Sequence, residues 1–333
     1  MKKTRLILIL LILSFAVSAS HAQVVDPGGA AGTASLKERI NKAVAIIPSG
    51  EVYVGAKDLL TGETAYYRGD VPCQWASTVK LAVLYTLYSQ AEKGALKLSA
   101  RHTLKPEDYR LFSPVFLAFD PGLNPTLRDC AYWMIAKSDN TASDILINRL
   151  TLGQINATLK ERGFPGFHVE KTLQDLLSCF VGISPAEMSR KDPGTLREMM
   201  NANVRKYDSY ADLERKTGVL AYNVCTAADM LRLMQLVMDP AGYRSGDTYE
   251  EVKAILLEGG RAFTDRLPPG ARAYGKSGSL LSSVSQASVI HLADGRKFAV
   301  VIAINASDEP ASKLSPRLLQ MLRVIAGHEG GEE

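Results

Sequence analysis

Residues 287–304 read ASVIHLADGRKFAVVIAI, two runs rich in β-branched and small apolar residues on either side of Ala293-Asp294-Gly295-Arg296. Asp-Gly between such runs is a strong hairpin signal, so Ala287 to Leu292 and Lys297 to Ile304 are expected as paired strands. A second hairpin lies near the other end of the chain. There Val52, Val54 and Ala56 alternate, Thr61-Gly62 makes the turn and Ala65 to Tyr67 returns. Between the hairpins the apolar period changes from two to three or four. From Thr78, the residues Leu81, Leu84, Leu87 and Tyr88 share one helical face, and helical signals continue to about Met238. Leu127 to Lys137, Thr141 to Leu150, Gln154 to Arg162 and the run from Thr226 are the clearest. Helices are also expected from Ser35 to Ile47 and from Ala311 to Ala326. Strands at both ends with helices between them predict an α+β fold: one sheet built from both termini, flanking helices and a separate all-helical lobe. The α/β lobe should take about 35–70 and 240–330, and the helical lobe about 71–239, with an active-site cleft between.

The chain has 333 residues, 46% hydrophobic and 22% charged, the composition of an ordinary globular protein. A formal charge of +4 leaves no excess for neutralising phosphates, so no nucleic-acid partner is expected. The first 22 residues read as a signal peptide. Lys2, Lys3 and Arg5 precede the apolar run Leu6 to Val17, and Ser20-His21-Ala22 offers small residues at a cleavage site. The apolar run is short of the ~20 residues that span a bilayer. Residues 23–34 follow as a Gly/Ala-rich leader, then one domain over 35–330. The mature protein is expected to be exported, periplasmic or secreted, free of the membrane and monomeric. Cys73, Cys130, Cys179 and Cys225 are widely spaced without C-x-x-C, which excludes the usual zinc patterns and leaves free thiols or one disulfide open. No metal or organic cofactor is implied.

Hydrolytic chemistry needs an activated nucleophile. There is no G-x-S-x-G, and His102, His168, His291 and His328 stand alone. A serine served by a lysine remains. Ser77-Thr78-Val79-Lys80 is the only S-x-x-K, and it falls where strand gives way to helix. Three residues apart on a helix, the two side chains share a face, and a desolvated lysine can accept the serine proton. Ser138-Asp139-Asn140 lies at the junction of two predicted helices. Ser138 can relay a proton to a leaving group and Asn140 can hold a substrate amide, while Asp139 braces the turn. Two lysine triplets compete for a third role. Lys276-Ser277-Gly278 precedes the C-terminal strand pair, whereas Lys216-Thr217-Gly218 lies in a polar stretch before a predicted helix. The chemistry needs this lysine on a strand edge, where Ser279 N–H could join Ser77 N–H as an oxyanion hole, so 276–278 is chosen.

With the three motifs in this order, 61 and 138 residues apart from Ser77 to Ser138 to Lys276, the chain resembles the class A β-lactamase and penicillin-binding-protein superfamily. TGETAYYRGD resembles that family's first hairpin, SDNTASDIL its central helix, and LFSPV (111–115) the loop that sets an aromatic, here Phe112, at the cleft entrance. The resemblance runs from about Ser35 to Ala326. It implies a five-stranded antiparallel sheet with a helical lobe and a serine hydrolase that opens β-lactam amides through a Ser77 acyl-enzyme. Ser77, Lys80, Ser138 and Lys276 would be catalytic, and Asn140, Ser277, Gly278, Ser279 and Phe112 would bind substrate.

The chain also departs from that pattern. Class A enzymes carry an E-x-x-L-N loop whose Glu activates the deacylating water. Here its place falls between Gln174 and Leu176 in EKTLQDLLS, with only Glu170 and Asp175 nearby. No arginine follows the lysine triplet to hold a substrate carboxylate, leaving Arg261, Arg266 or Arg272 as distant candidates. The segment from Ser178 to Tyr222 is long, polar and poorly periodic, its charges expected on a solvated face. Three readings follow: a β-lactamase, a penicillin-binding or D,D-peptidase-like enzyme with slow deacylation acting on cell-wall peptide, and a non-catalytic binding domain.

Overall fold

The computed structural model describes residues 34–328, so the signal peptide and all but the last leader residue lie outside the described residues. Strand alternation dictates the sheet. β1 (Glu51–Asp58) and β2 (Thr64–Tyr67) form the first hairpin, β3 (Cys73–Gln74) and β4 (Val224–Cys225) a short ribbon, and β5 (Arg272–Ser279), β6 (Val284–His291) and β7 (Lys297–Asn305) a meander. The expected five-stranded antiparallel sheet is present, in the order β2-β1-β7-β6-β5. In β7, Phe298, Val300, Ile302 and Ile304 face one side and Ala299, Val301 and Ala303 the other, all buried.

Each face is covered by helices whose apolar stripes match it. The first face packs on α1 (Leu36–Val44) and on the C-terminal helix over Ala311–Ile325, through Leu36, Ile40, Leu314, Leu318 and Leu322. Ser35 starts α1 with a reciprocal cap: its hydroxyl accepts from Glu38 N at 3.3 Å while its own amide donates to the Glu38 carboxylate at 2.8 Å. The alanine-rich second face is covered by α10 (Ala227–Val237). Alongside it, in the same apolar cluster, lie α2 (Lys80–Glu92), α3 (Leu127–Ala136), α4 (Asn140–Leu150) and α5 (Leu152–Glu161). Lys80 to Ser89 are buried all round α2, which makes it the central helix.

The 178–222 stretch differs from expectation. It is built of α6 (Leu173–Val181), α7 (Pro185–Met188), α8 (Pro193–Val204) and α9 (Tyr210–Lys216), around an apolar cluster of its own that includes Leu176, Phe180, Met188, Leu196 and Leu213. Short helices restarted by caps at Thr172, Ser184, Asp192 and Ser209 reset the phase of the pattern, which is why no single period runs through it. Then come α10 (Ala227–Val237), α11 (Gly246–Thr264) and α12, the Ala311–Ile325 helix already described. All four cysteines are free thiols; Cys73 and Cys225 face one another in the β3–β4 register. Among the described residues no helix is long and apolar enough to cross a membrane.

Strand β5, which carries the lysine triplet, is an edge strand and needs outside support. α11 supplies it through Gly259-Gly260. A Cβ at Gly259 would lie 2.3 Å from Gly275 O, and one at Gly260 only 2.0 Å from Ala273 O. Gly260→Ala should therefore force α11 off the strand, lowering the unfolding free energy by about 2 kcal/mol in urea denaturation.

Candidate active site

The nucleophile candidate is set by a strained turn. Trp75 is fully buried, its indole N–H donating to Cys225 O at 2.9 Å. Ala76 follows with φ +44°, a left-handed conformation unusual for a residue with a Cβ, and its amide donates to Gln74 Oε1 at 2.6 Å. A 3-10 turn over Ala76–Val79 then runs straight into α2, so Ser77 stands one turn before Lys80 and is half-buried while its neighbours are covered. The Trp75 carbonyl accepts from Thr78 Oγ1 at 2.5 Å and Ser285 Oγ at 2.6 Å, tying this turn to β6.

Lys80 is completely buried. Its Nζ donates to Ser138 O at 2.7 Å, Ser138 Oγ at 3.2 Å and Asn140 Oδ1 at 2.8 Å. Burial, and then the nearby Lys276 charge, hold its pKa well below the ordinary lysine range, against the opposing pull of Asp139 and Asp144. A neutral amine carries a lone pair, so Ser138 Oγ can donate to it in turn. That gives Lys80 and Ser138 a path for one proton, one helical turn from Ser77.

Ser138 has φ +56° and leads into α4 through Asp139, which caps Ala142 N at 2.9 Å. The other Asp139 oxygen accepts from Val115 N and Phe116 N, both at 3.0 Å, and so braces the entrance loop, as expected of it. Asn140 is more occupied than expected of a substrate ligand. Besides Lys80, its amide reaches Leu111 O at 2.9 Å, linking the base to the loop that carries Phe112. Phe112 itself is 47% exposed at the rim with φ +59°.

Across the cleft, Lys276 is 1% exposed and donates to Ser277 O at 2.6 Å; desolvation pulls its pKa down to about 7. Gly278 brings the strand against the nucleophile, since a Cβ there would sit 2.6 Å from Ser77 N. Ser77, Phe112, Ser138, Asn140 and Ser279 thus line one cleft of about 650 Å³. Lys80, Lys276, Ser277 and Gly278 are close by but not in its lining, Lys80 in contact with Ser138 and Asn140 and Gly278 against Ser77. Such an arrangement can deliver an activated hydroxyl to a carbonyl held along β5.

Other candidates are not brought together. Glu170 is exposed, although its amide is held by Asn223 Oδ1 at 2.8 Å. Asp175 faces its own helix start, accepting from Thr172 N at 3.4 Å and Ser178 by its carbonyl. Neither lines the cleft, nor do Arg261, Arg266 or Arg272. Lys216 ends α9 in an exposed pair with Asp212 at 2.9 Å, so the second lysine triplet lies outside the site. None of the histidines lines it either; His102 pairs with Asp108 at 2.8 Å.

Three residues that hold the site are not apparent from the motifs. Buried Asp144 accepts from Arg110 Nε at 2.7 Å, Leu173 N at 2.7 Å and Gln174 N at 3.0 Å, pinning the start of α6 beside the cleft. Its pKa is raised by burial, with Arg110 opposing. Buried Glu214 of α9 accepts from Leu281 N and Ser282 N, both at 2.8 Å, and from the hydroxyls of Ser282 and Ser283. It fixes the turn after Ser279. Arg197 of α8, read as part of a solvated face, lines the cleft at its outer end.

A family model described as the beta-lactamase enzyme family matches residues 35–320. Among solved structures, a β-lactamase from Chitinophaga pinensis DSM 2588 aligns over 87% of this chain and 97% of its own at 17% identity, with a TM-score of 0.68. An ancestral class A β-lactamase covers 88% and 99% at 18% identity and 0.68. A protein titled PBP-A covers 88% and 94% at 18% identity and 0.67. No curated protein sequence matches.

The close approach at Gly278 gives a direct test of the assembled geometry. Gly278→Ala should lower Ser77 labelling by an active-site acylating reagent at least about 100-fold, since a displaced oxyanion donor alone costs that much. Because the same Cβ also crowds Ser285 and Ala76, its urea midpoint should fall as well, and labelling is read without urea on variant protein shown to be folded.

Proposed function

The chain belongs to the beta-lactamase enzyme family, and from that premise we propose that it is an exported serine hydrolase that opens β-lactam amide bonds through a Ser77 acyl-enzyme and releases the product slowly. The observation that carries this reading is the buried Lys80 amine, with its lowered pKa, in contact with Ser138. Lys80 takes the Ser77 proton as Ser77 Oγ attacks the lactam carbonyl. The proton passes to Ser138 and on to the leaving nitrogen as the C–N bond breaks. Lys276, cationic below about pH 7, attracts the substrate carboxylate and favours the ionised form of Ser138. Residues 35–330 form the catalytic domain, monomeric after loss of residues 1–22, and no cofactor takes part.

Support for slow release comes from the lining of the cleft, in which no Asp or Glu among the described residues takes part. Water reaching the ester then lacks a carboxylate base. One solved neighbour is an acyl-enzyme complex of a PBP-A variant with penicillin G, consistent with a persistent ester on this fold.

Incubation of the mature protein with a chromogenic cephalosporin should give one equivalent of adduct by intact mass, absent in Ser77→Ala. No adduct would sink the proposal. The pH profile gives a second check. Acylation by a carboxylate-bearing β-lactam should rise as Lys80 loses its proton and fall through about pH 7 as Lys276 loses its charge. A neutral ester should show the rise without the fall. A descending limb that survives in Lys276→Ala would assign it to another group.

A further inference from the structure

We propose that the apolar trough beside Ser77 is a subsite for an extended apolar acyl group, so that the protein's acyl donors include esters with alkyl or aryl-alkyl chains. This rests on the reading of Ser77 as the acylated nucleophile and concerns what that nucleophile receives. One wall is α6. Leu173, Leu176, Leu177 and Phe180 fall at i, i+3, i+4 and i+7, one helical stripe, and all four line the cleft that holds Ser77. Leu280 and Leu281, directly after Ser279, pack against the same apolar cluster and extend this wall, and Phe112 and Leu117 also line the cleft.

A wall of leucine this close to a nucleophile selects by desolvation. A polar peptide laid along α6 would leave its amides without partners, whereas each methylene of an alkyl chain leaves water favourably. Among the described residues, the charged side chains that line the cleft are Lys137 and Arg197, both exposed. The trough is also held open rather than free to collapse. Asp144 anchors the first amides of α6, and Glu214 anchors the turn that carries Leu281. A volume of about 650 Å³ is within the range of small-molecule sites.

The step balances without a further reagent. The Ser77 Oγ–acyl carbon bond forms, the bond from acyl carbon to the leaving oxygen breaks, and the Ser77 proton travels through Lys80 and Ser138 to that oxygen.

The test is the burst of nitrophenol from p-nitrophenyl acetate, butyrate, hexanoate and octanoate, with intact mass to count adducts and Ser77→Ala as control. The acylation rate constant should climb at least about tenfold from acetate to octanoate, a modest share of what six added methylenes can contribute. Leu177→Asn should flatten the series, bringing the octanoate-to-acetate ratio of acylation rate constants close to one. Should that buried substitution prevent folding, Leu281→Asn on the half-buried wall serves the same purpose. A flat series in the wild type, or a rise untouched by either variant, overturns the proposal. If the cephalosporin labels Ser77 and no ester does, the acyl subsite fails and the acyl-enzyme reading stands. If neither labels it, both fail.

Discussion

A lysine amine sealed from water, hydrogen-bonded only to uncharged oxygens, is the constraint on which the rest depends. An ammonium taken out of water costs several kcal/mol, and burial outweighs the pull of Asp139 and Asp144, so Lys80 is held towards its neutral form. That demands a central helix buried on every side, which α2 is. It also demands acceptors in fixed positions. Ser138 and Asn140 supply them from the start of α4, and Asp139 locks that start to the entrance loop. The second lysine, Lys276, is brought close by β5, which approaches Ser77 only because residue 278 has no side chain.

Much of this was legible in the sequence. The period of two in 297–304, the turn at Asp294-Gly295 and the return to helix at Thr78 led to the sheet built from both ends. The three short motifs named the residues that the fold then gathers. What escaped was of two kinds. The helices of 182–216 are too short for a period to show, and their caps look like loop polarity. The bracing carboxylates Asp144 and Glu214 make contacts 29 and 68 residues away, to Leu173 and Ser282, which no local pattern records. A third feature was visible but went unused. Leu173, Leu176, Leu177 and Phe180 are spaced as a helix stripe, in the segment where the family pattern would have a carboxylate.

Those two findings belong together. The position where a deacylating Glu was sought lies on α6, and α6 turns leucine, not carboxylate, towards Ser77. Asp175 is spent on its own helix start and Glu170 points to solvent. On the proposed reading, the same wall would deprive water of a base and offer an apolar surface to an acyl group on Ser77. Slow release and preference for apolar acyl groups would then both follow from one helix face, held in place by Asp144.

The lifetime of the acyl-enzyme tests this most directly. Protein acylated by the cephalosporin, stripped of excess ligand and followed by intact mass at neutral pH, should keep its adduct for hours. Loss of the adduct within seconds would contradict the account, because it would require a general base at the cleft that the leucine wall does not provide.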